Sequence, residues 1–288
     1  MEASVVSKRR LLQGLGLAGI GAALAACNTL SLFNAMTPKE GNVHRIARNI
    51  AYGDDPRQAY DVYAPRNATT ALPLLVFFYG GGWDSGSKDA YAWMAHSLAS
   101  MGYVVALPDY RVVPNVHYPD FLMDCAAAVK HITGHAAGYG AEPARLALMG
   151  QSAGAYNAVM LALDPQYLKG TKVAAVVGIS GPYDFYPFDV AASINAFGQW
   201  PRPEETQPVN HVRKLDTHFL LLQSRADTVV GTHNAVNLDK KLRAAGTEVR
   251  LQLYDRLSHQ DTAAVFSIPF RGKSRLRADV QAFLKTEL

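Results

Sequence analysis

The sequence predicts an α/β fold, doubly wound around one mostly parallel eight-stranded sheet, with a small cap inserted late in the chain. Three observations lead there. Short apolar runs rich in β-formers recur along the chain, and helical patterns fall between most of them. Runs such as Leu74-Leu75-Val76-Phe77-Phe78 and Phe219-Leu220-Leu221-Leu222 are apolar on both faces, as parallel strands covered by helices on each side must be. Composition agrees: of 288 residues, 49% are hydrophobic and 18% charged, which supports a packed core and excludes a disordered or collagen-like chain.

Taken in order, residues 1–27 read as an address. Lys8, Arg9 and Arg10 form a basic cluster, and Leu11 to Ala26 carries no charge. That stretch is shorter than the about 20 apolar residues a membrane span needs, and its small-residue boundary fits an export signal. Leu24-Ala25-Ala26-Cys27 resembles the bacterial lipoprotein cleavage box, which implies acylation of Cys27, a lipid anchor to a membrane and residence in the periplasm or cell envelope. Ser7-Lys8-Arg9-Arg10-Leu11-Leu12-Gln13 resembles a twin-arginine signal. Gly14-x-Gly16-x-x-Gly19 spells a dinucleotide-binding motif but lies inside the apolar core of the signal, without the strand it requires. Residues 28–42 read as a flexible tether.

Residues 43–288 form the domain. Strands are expected near 44–52, 58–64, 73–79, 103–109, 145–150, 173–180, 218–224 and 249–255, and helices near 88–100, 119–137, 153–163, 232–245 and 273–286. Gly102 and Gly246 fall just past two helices, where a left-handed cap favours glycine. Alternation of this kind implies right-handed crossovers. Residues 181–217 are too long for an ordinary connection and rich in Pro, Phe and Trp, which suggests a cap over a site.

Charge and cysteine content exclude several functions. Lys plus Arg is 28 and Asp plus Glu is 24, for a net +4 partly spent in the leader, too weak and scattered for nucleic-acid binding. Two cysteines, Cys27 and Cys125, exclude a disulfide framework or a cysteine zinc site. Cys125 reads as core. His131 and His135 have metal-ligand spacing but lack the glutamate of the zinc motif, and read as a surface pair.

The sharpest chemical signal is Gly150-Gln151-Ser152-Ala153-Gly154, which follows an apolar strand and opens a helix. A serine on such a turn projects its hydroxyl at the sheet edge, facing the positive end of the helix. It needs a base held by an acid, in the chain order Ser, Asp, His. Asp227 lies past the strand ending Gln223-Ser224, and His259 lies past the next strand. Asp255 and Asp261 stand too close to His259 in sequence to serve as its acid. His218 and His233 are weaker bases. Tyr79-Gly80-Gly81-Gly82-Trp83 directly follows a strand, and its glycines free backbone N–H groups to approach a substrate oxygen.

Together with Asp61-Val62-Tyr63, Asp109-Tyr110-Arg111 and Ser180-Gly181-Pro182-Tyr183-Asp184, these motifs resemble the α/β-hydrolase fold serine esterases, in the bacterial branch near hormone-sensitive lipase and the small feruloyl and acetyl esterases. The resemblance implies a carboxylesterase with Ser152, Asp227 and His259 as triad and Gly81, Gly82 and Ala153 as oxyanion hole. It implies no metal or organic cofactor and a small-molecule ester as substrate. The family usually starts its glycine loop with His, where this chain has Tyr79. Tyr79, Trp83, Phe185 and Trp200 are the expected substrate contacts, and Asp109 with Arg111 an expected bracing ion pair. Related alternatives are a kynurenine formamidase-like amide hydrolase and a surface lipoprotein that only binds. Oligomeric state is not legible.

Overall fold

A computed structural model describes residues 29–288. The expected export signal, the expected lipidation site Cys27 and residue 28 lie outside the described residues. The eight strands are β1 (Val43–Ala51), β2 (Ala59–Pro65), β3 (Leu72–Phe78), β4 (Val104–Pro108), β5 (Ala141–Gln151), β6 (Ala175–Ile179), β7 (His218–Ser224) and β8 (Val249–Tyr254). They form one sheet in the order β1-β2-β4-β3-β5-β6-β7-β8. β1 pairs antiparallel with β2, and β2 with β4; every other pair is parallel.

This order positions the site. The chain leaves β3 to form β4 on one side, then returns to form β5 on the other. The crevice beyond the carboxyl ends of β3 and β5 is thus the topological switch point, where open α/β sheets bind ligands. β3 carries buried Leu74 to Phe78, and the carboxyl half of β5 is equally buried.

Helices cover the sheet: α1 (residues 29–36), α2 (Ala92–Ala99), α3 (Asp120–His135), α4 (Ala153–Leu163), α5 (Ala191–Phe197), α6 (His233–Ala244), α7 (His259–Ala264) and α8 (Leu276–Glu287). α4 packs over β3, β5 and β6 and is buried on nearly every side, which explains why its sequence is apolar all round rather than amphipathic. Gly102 and Gly246 have φ of +101° and +75°, as their positions past α2 and α6 suggest.

Three features depart from expectation. The tether reading fails for the part that is described: residues 29–36 are helical and dock on the domain. Phe33 packs edge-on to Trp93 and stacks on Phe270, while Asn34 accepts from Trp93 N and donates to Asp89 O. Leu30 and Phe33 pack partly buried against the core, and with the paired Asn34 amide they hold this short segment in place. α5 forms inside the cap. α7 opens directly at His259.

Candidate active site

The elbow is built by close approach. α4 must cross β3 with no side chain between them, and a Cβ on Gly154 would be driven into the Phe78 carbonyl. Ser152 then takes φ 56° and ψ −125°, a conformation that costs of order 1–3 kcal/mol in a non-glycine residue. The turn is held in that state by Ser152 N donating to Ile179 O at 2.9 Å, and by Ala155 N and Tyr156 N donating to Ser152 O at 2.9 and 3.2 Å. The amino end of α4 faces the hydroxyl.

The candidate acid and base come from neighbouring strand ends and are tied to each other. Ser224, the last residue of β7, accepts from Leu257 N at 3.1 Å and from Ala226 N at 3.3 Å, joining the Asp227 loop to the His259 loop. Asp227 Oδ1 accepts from Val229 N and Val230 N, both at 2.9 Å. Its Oδ2 contacts His259 Nδ1 at 2.8 Å and accepts from Gln223 Nε2 at 3.3 Å. Burial pushes the Asp227 carboxyl up, but the hydrogen bonds from His259, Val230 and Val229 outweigh it and hold the group below its ordinary value. An ionised Asp227 accepts only, so His259 Nδ1 carries the proton. His259 Nε2 is then the acceptor facing Ser152 Oγ at 2.9 Å. Ser258 and Asp261 form a capping box that fixes the start of α7, so Asp261 is a cap and not the acid. Asp255 pairs with Arg225, and His218 with Glu287.

The glycine loop completes the site. Gly81 O accepts from Asp84 N at 3.1 Å, Ser85 N at 3.0 Å and Ser85 Oγ at 2.9 Å. In a trans peptide the N–H points opposite to the carbonyl, so the Gly82 N–H is turned away from that bend. Gly82 and Ala153 line the groove beside Ser152, and among the described residues neither N–H donates to a protein acceptor. Gly81 stands one residue behind the groove wall.

The groove holds about 500 Å³ between the cap and the 228–231 loop. Trp83 and Phe185 line it, their rings 6.3 Å apart and near parallel. Buried Phe197 and Tyr156 fill the space behind them, so the aromatic side is shallow. Asp184 and Asp189 are the acidic lining residues, and among the described residues no Lys or Arg lines the groove. The cap is stapled down by two buried amides: Asn234 Oδ1 accepts from Tyr183 N and Asp184 N, and Gln207 Oε1 from Phe185 N and Tyr186 N.

Two expected substrate contacts are corrected. Tyr79 is fully buried behind the glycine loop, stacked between Tyr91 and Tyr110, with its hydroxyl donating to Asp109 Oδ1 at 2.8 Å. Burial drives its pKa far up, so the phenol stays neutral. Trp200 belongs to the cap's own packing: its ring sits edge-on to Tyr118 and its Nε1 donates to Glu205 Oε2 at 3.2 Å, away from the groove. The expected Asp109–Arg111 pair is also replaced. Arg111 pairs with Asp124 of α3 at 2.7 Å, and Asp109 serves Tyr79 and Lys88 N. Cys125 is buried and accepts from Asn157, and His131 contacts the Tyr60 hydroxyl through Nδ1.

Comparison with known proteins bears on the family and the fold. A family model described as BD-FAE matches residues 60–242. The chain is 27% identical over 270 residues to isoprenylcysteine alpha-carbonyl methylesterase ICME of Arabidopsis thaliana, covering 84% of this chain and 63% of that protein. It is 30% identical over 227 residues to esterase LipC of Mycobacterium tuberculosis, covering 70% of this chain and 56% of that protein. The chain thus spans less than two thirds of those relatives' lengths. Among solved structures, Lactobacillus rhamnosis esterase B inhibited by a tributyrin phosphonate superposes with a TM-score of 0.80 at 19% identity, covering 94% of each chain. That likeness is one of fold.

Proposed function

The chain belongs to the BD-FAE family, and from that premise we propose that it is a serine carboxylesterase acting on neutral short-chain or aryl esters through an acyl-enzyme on Ser152. One observation carries the proposal: Ser152 Oγ, His259 Nε2, His259 Nδ1 and Asp227 Oδ2 form an unbroken relay, at 2.9 and 2.8 Å, on the rim of an open groove.

The mechanism follows from the atoms. As Ser152 Oγ attacks the ester carbonyl, its proton passes to His259 Nε2, and ionised Asp227 steadies the imidazolium. The oxyanion forms against the N–H groups of Gly81, Gly82 and Ala153 and the amino end of α4; one such donor is worth about 3–4 kcal/mol. His259 returns the proton to the leaving alcohol. Water, activated by the same imidazole, then releases the acid and regenerates Ser152.

Groove chemistry supports the substrate class. The shallow aromatic side suits a short or flat acyl group. Two carboxylates and, among the described residues, no Lys or Arg in the lining suit a neutral ester better than a carboxylate-bearing formamide. Esters of p-nitrophenol in a chain-length series, assayed beside N-formylkynurenine, test this. Ester cleavage that peaks at short chains and is lost in Ser152→Ala is expected. Formamide cleavage far above ester cleavage would replace the substrate assignment, and undiminished hydrolysis by Ser152→Ala would remove the mechanism.

Export and anchoring belong to the same proposal. They are supported by Lys8 to Arg10, the charge-free segment after them and the Leu24–Cys27 box. Mass spectrometry of the mature N-terminus should find acylated Cys27; a chain retaining Met1 would refute it.

A further inference from the structure

Resting on Ser152 as nucleophile, we infer that Arg57 is a positioning residue for the oxyanion loop: one guanidinium ties the loop's entry to its exit and thereby fixes where the Gly81 and Gly82 N–H groups stand. Arg57 lies in the turn between β1 and β2, and none of its hydrogen bonds reaches the triad. Its Nη2 donates to the Tyr79 hydroxyl at 3.0 Å and to the Gly86 carbonyl at 2.9 Å. Its Nε donates to the Tyr110 carbonyl at 2.9 Å. Tyr79 immediately precedes the three glycines, and Gly86 closes the bend that follows them.

The two ends are already in contact, since a Cβ on Gly86 would stand 2.7 Å from Gly80 O and 2.8 Å from the Tyr79 ring. The guanidinium locks that contact from the side. It also orients the Tyr79 hydroxyl, which accepts from Arg57 and donates to Asp109. Tyr110 closes the circuit, its hydroxyl donating to Tyr79 O at 2.9 Å while its own carbonyl is held by Arg57. The turn bearing Arg57 is fixed in its place: Arg57 N donates to Asp55 Oδ1, and Gln58 Nε2 donates to Asp124 Oδ1, both at 2.8 Å. Three acceptors on three segments match one planar fork. A lysine ammonium on a flexible stem cannot reproduce that match.

Displaced N–H donors lose their partner only when the oxyanion exists, so the effect falls on kcat and not on KM. The test compares Arg57→Ala and Arg57→Lys with the parent on p-nitrophenyl acetate, with melting temperature as the folding control. In both variants kcat should fall about 10- to 100-fold with KM within about threefold. Affinity for a trifluoromethyl ketone, which Ser152 converts to a tetrahedral oxyanion, should fall in parallel. Added guanidinium ion should restore part of the kcat of Arg57→Ala and leave the parent unchanged. If Arg57→Ala does not fold, Tyr79→Phe carries the test, with a smaller kcat loss at unchanged KM. A folded Arg57→Ala with parental kcat and ketone affinity, or a loss confined to KM, would overturn the inference. An inactive parent, or an active Ser152→Ala, would instead overturn the functional reading beneath it.

Discussion

Replacing Asp227 with Asn keeps the shape of the side chain and reverses one contact, so it isolates what the acid does. The carboxylate accepts from four donors: Val229 N and Val230 N on Oδ1, His259 and Gln223 Nε2 on Oδ2. An asparagine can keep the two backbone bonds only by turning its NH2 toward His259 and Gln223. His259 Nδ1 must then accept, which moves its proton to Nε2 and removes the acceptor that Ser152 needs. Flipping the amide restores the histidine contact but sets the NH2 against two backbone N–H groups at a buried site, where each unpaired donor costs about 1–3 kcal/mol. The first orientation is therefore the favoured one, and it lacks a working base. The wrong tautomer should lower kcat by about 10³- to 10⁴-fold. That corresponds to about 4–5.5 kcal/mol of transition-state stabilisation at 1.36 kcal/mol per decade. KM should change little. Stopped-time hydrolysis of p-nitrophenyl acetate from pH 6 to 9, with melting temperature as a control, measures it. A folded Asp227→Asn within tenfold of the parent would refute the tautomer argument.

Other consequences are equally open to measurement. Phe185→Ala opens the shallow aromatic side, so hexanoyl over acetyl preference should rise about 10-fold or more in a p-nitrophenyl series, whereas an unchanged optimum would show that this ring does not limit the acyl group. Gly154→Ala forces a methyl into the Phe78 carbonyl and should cost about 2–4 kcal/mol, read as a drop in denaturant midpoint; parental stability would contradict the close crossing. Asp227 is held below its ordinary pKa, so the folded chain binds its proton later than the unfolded chain does. Its contribution to stability is complete above about pH 4 and is lost as pH falls below that. Acid should therefore lower the melting temperature of the parent more steeply than that of Asp227→Asn, and equal slopes would contradict the sign.

Much of this was readable from residues alone because it rests on local pattern. Eight strands announced themselves as apolar runs, and the elbow, acid and base each sat just past a strand in the required order. What was not readable depends on contacts between distant segments. Asp109 and Arg111 are two residues apart and looked like a pair, yet the sheet carries Asp109 to Tyr79 and α3 brings Asp124 to Arg111. Tyr79 and Trp200 looked like pocket aromatics, but pattern says nothing about which side of a loop an aromatic ring occupies. Arg57 was invisible for the same reason, since its three acceptors lie on three other segments. α7 is the exception, for its signal was local. Ser258 and Asp261 spell a capping box, overlooked because the helix after it is short and polar. Phe33 and Trp93 lie far apart in the chain, which is why residues 29–36 read as tether rather than as a docked helix.

The central claim is that one hydroxyl, on Ser152, is the group that attacks. Incubating the folded protein with a serine-directed alkyl phosphonate and mapping the adduct by peptide mass spectrometry tests it most directly. A single adduct on Ser152, formed at a rate that collapses in His259→Ala, is the expected result. Folded protein left unlabelled, or labelled at another residue, would contradict it.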